Sequence, residues 1–113
     1  MTQGAIDAFE AAGRPLVPMT GEDNNGFLKA WKARQGKGFR AIAASEPTWC
    51  SAEALKAALD ALNGKPLPRV RTIPVQIITE ANLDRYVRPD LSDGYWASSH
   101  LPPDLTKGYY GQE

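Results

Sequence analysis

Residues 13–26 of this 113-residue chain have the sequence GRPLVPMTGEDNNG, which joins a helix, a strand and a second helix. Residues 16–19 are a proline-bounded hydrophobic run that is too short for a helix, so they predict a buried strand. The polar cluster that follows places Glu22, Asp23 and Asn24 just beyond the end of this strand. Open parallel sheets bind small polar ligands at the carboxyl edge of their strands. The stretch therefore predicts an α/β unit with a ligand site at that edge.

A helix is predicted on each side of this strand. Before it, apolar residues recur at helical spacing over residues 3–12, and Gly13 is placed as the helix stop. After it, Asp23 or Asn24 can cap a second helix. Helical spacing predicts the buried stripe of that second helix: Phe27, Leu28 and Trp31.

The rest of the chain continues the alternation and then loses it. Residues 39–44 predict a second strand beside residues 16–19, parallel to it because a right-handed crossover joins them. A third helix is predicted from a Ser51 cap to residue 63, with Leu55, Leu59 and Leu62 at helical spacing. Residues 70–78 are β-rich but contain Pro74, and residues 83–113 predict an irregular tail laid on a surface. This order predicts an α/β fold with a parallel sheet flanked by helices.

Charge, the first residues and the cysteine count each bear on the class of function. Thirteen basic and thirteen acidic residues give no net charge, which does not favour a nucleic-acid partner or an anionic membrane surface. Residues 1–7 lack the features of an export signal, so the chain as written predicts no signal peptide and would be cytoplasmic if expressed alone. Cys50 is the only cysteine, which excludes an internal disulfide and a multi-cysteine metal site.

The sequence does not favour an enzyme. Glu22 beside Asp23 resembles an acid/base pair, but adjacent residues usually point apart and no nucleophile, metal cluster or phosphate loop accompanies them. A Rossmann or flavodoxin-like enzyme needs a glycine-rich phosphate loop after a strand, and residues 21–26 are not such a loop. No catalytic residue, metal site or cofactor is therefore predicted.

Several segments, taken in order, resemble the carboxyl-terminal part of the ribose-type (type I) periplasmic sugar-binding proteins of ABC importers. They are MTQGAIDAFEAAGR at residues 1–14, GED at 21–23, IAASEP at 42–47, LNGK at 62–65 and IITEANL at 77–83. The resemblance implies a carbohydrate-binding component of a sugar transporter, present here as a fragment of a periplasmic-binding-protein type I fold. It implies a monosaccharide ligand, a periplasmic location for the parent family and transporter membrane subunits as partners.

The same resemblance implies particular site residues. Asp23 falls where the family uses an aspartate to accept hydrogen bonds from sugar hydroxyls, and a carboxylate accepts such bonds well. Ser45 falls where many members have a glutamine that touches the sugar. Asn24 and Trp49 complete the predicted ligand-binding set, with capping alone the other interpretation of Asp23 and Asn24, and packing the other interpretation of Trp49.

The resemblance also implies how the chain divides between two lobes joined by hinge strands. Residues 1–45 belong to the carboxyl-terminal lobe, residues 46–75 supply a helix and a strand of the amino-terminal lobe, and residues 76–113 return across the hinge into the tail. Both lobes are then incomplete. The implied hinge positions are Ser45, Glu46, Val75, Gln76 and Ile77.

A second function hypothesis remains open, in which the chain is a self-standing interaction or regulatory module that uses the same fold and pairs with a second copy. In either case exposed strand edges and helix faces predict a marginally stable chain that aggregates or dimerises. Trp31 is predicted in the core, Trp96 as an anchor of the tail, and His100 at the surface.

Overall fold

The structure is a computed structural model that describes residues 1–112. Within these residues it is an α/β fold with a small mixed sheet in the order β1-β2-β3. The strands are β1 (Met19–Glu22), β2 (Ala41–Ala44) and β3 (Ile77–Ile78). The helices are α1 (Thr2–Ala11), α2 (Asn25–Arg34), α3 (Cys50–Leu62) and α4 (Pro103–Tyr110), with a 3-10 turn at Leu83–Arg85.

The predicted parallel pair of neighbouring strands is confirmed. β1 and β2 run parallel, with Met19 opposite Ala41 and Glu22 opposite Ala44. α2 makes the crossover between them, and its apolar side packs into the core. Both strands therefore end at one edge of the sheet, where the polar cluster begins.

The predicted bounds of the first strand were wrong by three residues. The ladder begins at Met19, whose N–H donates to the carbonyl of Arg40 at 3.1 Å. Pro18 has no N–H to donate, so residues 16–18 cannot contribute the regular pattern of ladder bonds. β1 instead extends through the more polar Thr20, Gly21 and Glu22 and reaches Asp23 directly.

The expectation of an all-parallel sheet was also wrong. β3 pairs antiparallel with β2, with Ala43 opposite Ile78 and Ala44 opposite Ile77. The chain leaves the carboxyl end of β2 and returns to that same end, where the N–H of Ser45 donates to the carbonyl of Gln76 at 2.9 Å. A strand that re-enters a sheet from this end runs antiparallel to its neighbour. Of the β-rich stretch 70–78, only Ile77 and Ile78 join the sheet.

The core lies where α1 and α2 cover one face of the sheet. Phe27, Leu28 and Trp31 are buried, as their spacing predicted. Ile6 from α1 and Ile78 from β3 complete the contact between layers. This cluster joins α1 and α2 to the three strands and fixes the position of the sheet edge.

Close packing at β1 depends on one glycine. A Cβ at Gly21 would collide with the ring of Phe27, so the ring can lie against the strand only because residue 21 has no side chain.

The first helix ends as predicted, with Gly13 at a φ of +61°, a conformation that glycine adopts without steric cost.

Residues 46–76 form an arm that leaves the core. α3 buries none of its residues against the rest of the described chain, and its leucines at positions 55, 59 and 62 are 63%, 51% and 84% exposed. The radius of gyration is 17.5 Å, whereas a compact domain of about 100 residues has about 13 Å. The predicted Ser51 cap was wrong, because α3 already begins at Cys50 with Trp49 before it.

The tail is more regular than the sequence predicted. It contains the 3-10 turn Leu83–Arg85 and the helix α4, which has Pro103 in its first turn. Proline suits this position because it needs no N–H there and its φ is already helical. Within residues 1–112, no helix has both the length and the apolar character needed to cross a membrane.

We expect Leu59→Gln to change the free energy of unfolding by no more than about 0.5 kcal/mol, since the side chain is half exposed and glutamine is a good helix former. Ile6→Ala, in the core, should lower it by about 2–5 kcal/mol. Urea denaturation measures both, and sedimentation velocity should show weaker self-association for Leu59→Gln. A large loss of stability in Leu59→Gln would mean that α3 packs against the core.

Candidate functional site

The carboxyl edge of β1 is covered by the tail of the same chain. The loop after β1 and the tail exchange backbone hydrogen bonds: the N–H of Asn25 donates to the carbonyl of Tyr95 at 2.7 Å, and that of Ala97 donates to the carbonyl of Asp23 at 3.0 Å. Between these two bonds, Asn24 and Trp96 form an isolated antiparallel bridge. The edge predicted as a ligand site is thus built from two segments that are far apart in sequence.

Asp23 lies beneath this tail and is completely buried. Its Oδ2 accepts a 2.6 Å hydrogen bond from the N–H of Ser98. Its Oδ1 is also buried and has no hydrogen-bond partner among residues 1–112. A buried polar atom without a partner costs free energy, so this carboxylate retains the capacity to accept a further hydrogen bond.

Asn25, which the sequence did not single out, makes the densest polar contact in this region. Its Nδ2 lies within hydrogen-bond distance of the carbonyls of Arg88, Leu91 and Ser92, at 2.7, 3.0 and 3.1 Å, so its two N–H groups are shared among three acceptors. Its Oδ1 accepts from the N–H of Arg88 at 2.9 Å. The side chain is completely buried, so it ties the start of α2 to the beginning of the tail.

Ion pairs further stabilise the turn at residues 88–93, which the side chain of Asn25 contacts. Arg88 binds Asp90 through two hydrogen bonds of 2.8 and 2.6 Å, and the guanidinium lowers the pKa of the Asp90 carboxyl. From α2, the ammonium of Lys29 donates to the carbonyl of Leu91 at 2.6 Å and to Asp93 at 3.0 Å. These ion pairs are exposed and each contributes little alone, but they converge on one turn.

Asn24 is the N-cap of α2, as predicted. Its Oδ1 accepts from the N–H of Gly26 at 3.2 Å. It also lines a cavity of about 520 Å³ at the edge of the sheet. The other residues around this first cavity come from α1, β1, α2 and the tail: Met1, Thr2, Gln3, Thr20, Gly21, Glu22, Phe27 and Trp96.

A second, smaller cavity of about 160 Å³ adjoins β2 and the arm. Ser45 and Trp49 line it, together with residues 97–100 of the tail. The indole of Trp49 stacks on the imidazole of His100, with ring centres 4.4 Å apart and planes 11° from parallel. The hydroxyl of Ser45 donates to the carbonyl of Gln76 at 3.3 Å. Trp49 therefore contacts the tail, and His100 is exposed as predicted but stacked.

The predicted ligand-binding residues do not line one common cavity. Asn24 lies at the first cavity and Ser45 and Trp49 at the second, while Asp23 lines neither. Asp23 adjoins both, since Asn24 follows it in sequence and its bonded partner Ser98 lines the second cavity. Asp23 and Asn24 follow β1 and Ser45 follows β2, so these three residues lie at one edge of the sheet. Trp49 lies in the arm and reaches this region through its contact with His100 of the tail.

The predicted hinge positions come together in space. Ser45 bonds to Gln76, and Ile77 pairs with the last residue of β2, so the outgoing and returning segments lie side by side. Glu46 and Val75, one step further along each segment, are exposed. Both segments lead directly into the arm.

Among residues 1–112, no three or more His, Cys, Asp or Glu side chains come together as they would to hold a metal ion. No protein-family model, curated protein or solved structure matches this chain.

We expect Asn25→Ala to lower the free energy of unfolding by about 2–3 kcal/mol, because it leaves several buried backbone groups of the tail without partners. Asn24→Ala is the matched control, since it removes only a cap and should cost about 1 kcal/mol. Urea denaturation followed by tryptophan fluorescence measures both values. Equal losses in the two variants would contradict the anchoring role of Asn25.

Proposed function

We propose that this chain is the carboxyl-terminal part of a ribose-type sugar-binding protein that serves an ABC importer. In this proposal the sheet with α1 and α2 belongs to the carboxyl-terminal lobe, and the arm lies against an amino-terminal lobe. The protein would capture a monosaccharide in the periplasm and deliver it to the membrane subunits of the transporter.

The observation that carries the proposal is the path of residues 45–77. Two adjacent segments leave and re-enter the sheet at one point, and the helix between them exposes its leucines instead of covering the sheet. An amphipathic helix is normally stabilised by packing its apolar face. A hinge between two lobes would explain this path, because the apolar face of α3 would then pack against the second lobe.

The chemistry of the sheet edge supports a polyhydroxylated ligand. Glu22 is an exposed carboxylate at the first cavity, and Asn24 beside it offers an amide. Sugar hydroxyls donate well to such oxygen acceptors and form charge-assisted bonds with carboxylates. About 520 Å³ lies within the usual range of about 300–1,000 Å³ for small-molecule sites.

The two carboxylate oxygens of Asp23 have different roles in this proposal. Its Oδ2 holds the tail through Ser98, and its unpartnered Oδ1 accepts a sugar hydroxyl. Because Oδ1 is buried, the hydroxyl reaches it only after a local shift of the tail at Ser98, which leaves in place the bond from Asn25 to Tyr95 that positions Trp96. Such a shift is inexpensive where the bond that breaks is replaced by one to the ligand.

A dimerising interaction module is the second candidate function. The exposed leucines of α3 favour it, since a second copy would cover the same apolar surface that the first proposal assigns to another lobe. The genomic sequence upstream of Met1 separates the two: an in-frame first lobe with a signal peptide supports the sugar-binding protein, whereas a stable dimer of the chain expressed alone supports the module.

We expect Asp23→Asn to weaken sugar binding by about 1.5–3 kcal/mol in the protein that contains both lobes, because the asparagine oxygen can still accept the Ser98 N–H but lacks the charge that strengthens a bond from a sugar hydroxyl. Calorimetric titration with pentoses and hexoses measures the affinity, and a urea melt checks that folding is intact. For the 113-residue chain alone we expect only millimolar binding, since in this proposal the other lobe supplies half of the cleft.

The matched control is Asp93→Asn, which makes the same chemical change at an exposed carboxylate that pairs with Lys29. Its affinity for sugar should equal that of the parent. If Asp23→Asn binds the best sugar as tightly as the parent does, Asp23 has only a structural role and the proposed site is wrong.

A further inference from the structure

We infer that Trp96, supplied by the tail, forms the aromatic wall of the ligand site and selects uncharged sugar rings. This inference rests on the proposed sugar-binding function and assigns a ligand contact to a residue that the sequence predicted only as an anchor of the tail. It concerns the first cavity, which Trp96 lines. None of the described residues around this cavity has a basic side chain.

The backbone of Trp96 is fixed on both sides. The carbonyl of Tyr95 accepts from Asn25, and the N–H of Ala97 donates to Asp23. Trp96 itself pairs with Asn24, the cap of α2. A residue held in register against a helix cap presents its side chain reproducibly, which is the preorganisation that a binding contact requires.

The three tryptophans have different environments. Trp31 is completely buried in the core, and Trp49 is stacked against His100. Trp96 is half-buried and lines both the first cavity and a neighbouring one of about 340 Å³. Of the three, Trp96 alone lines the first cavity, so its indole is the one available to a ligand there.

The composition of the first cavity suits a sugar ring better than an open chain or an anion. A pyranose has an apolar C–H face, which packs on an indole, and a polar rim that forms hydrogen bonds. Glu22 and Asn24 from β1 and the α2 cap, with Gln3 from α1, provide polar groups for that rim. The Glu22 carboxylate repels sugar acids and sugar phosphates, and no Lys or Arg side chain lines the described cavity to offset it. Met1 also lines this cavity, so the chain is tested with its α-amino group acetylated, which removes that positive charge.

The test uses the whole 113-residue chain labelled with ¹⁵N, because its three indole N–H groups report separately. Neutral pyranoses, the matching uronic acids and hexose phosphates, and linear alditols are titrated to concentrations well above the millimolar dissociation constant expected for this chain. We expect neutral pyranoses to shift the Trp96 indole resonance saturably and to leave the Trp31 resonance in place. Alditols should bind more weakly because they lack a ring face, and the anionic sugars should bind most weakly.

Variants separate an aromatic contact from a structural role. Trp96→Leu should weaken pyranose binding about tenfold, while Trp96→Phe should recover most of that loss. Tyr109→Leu is the control, since Tyr109 is exposed on α4 and lines none of the cavities described above. An unshifted Trp31 resonance in each variant shows that the core is intact.

The outcomes are distinguishable. If a pyranose shifts the amides of residues 21–24 and Trp96→Leu binds it as tightly as the parent, this inference is wrong and the proposed function stands. Alditols or anionic sugars that bind as tightly as pyranoses would also overturn the inference. If no sugar moves any resonance at the sheet edge, the proposed sugar site itself is wrong.

Discussion

The side chain of Asn25 is the contact on which the organisation of this protein depends. Four hydrogen bonds join it to the backbone of residues 88–92, more than sixty positions away in sequence. Because the amide is completely buried, it needs these partners, and the turn in the tail needs the amide. Once the turn is fixed, the following residues lie along the loop after β1, so that Trp96 faces Asn24 and Ser98 reaches Asp23.

The arm, residues 46–76, differs from this sheet edge in its packing. The tail meets the sheet through buried polar contacts, whereas α3 meets nothing in the described chain that buries its leucines. A helix of this kind gains little from packing within these residues. The same feature supports both candidate functions, because another lobe or another copy would bury the same surface. What distinguishes the two is the sheet edge, whose cavities and polar groups favour the sugar-binding proposal.

Local signals predicted much of the fold from the sequence. The buried stripe of α2, the Asn24 cap and the parallel pair β1–β2 all follow from spacing and capping chemistry. The bounds of β1 could not be predicted in this way. Pro18 has no N–H to donate to the ladder, and the strand continues instead through Thr20, Gly21 and Glu22, which give no strand signal. The antiparallel β3 also escaped prediction, since its direction depends on where the arm returns and not on its own two residues.

The candidate site was harder to predict because half of it comes from the tail. Asp23 and Asn24 were found from their position after a strand, but Asn25 and Ser98 act through contacts between distant segments that no local pattern encodes. Adjacent asparagines before a helix signal a cap, and only the structure shows that the second one is turned to the tail. The function proposed for this edge therefore depends on the tail being docked there.

Native-state hydrogen exchange of the Ala97 and Ser98 amides tests that docking most directly. In the structure these amides donate to the carbonyl and the carboxylate of Asp23. They should therefore be protected to an extent similar to the ladder amides between β1 and β2. Exchange of both amides at the rate of a free peptide, with the β1–β2 ladder still protected, would show that the tail does not lie on the sheet edge and would contradict the account.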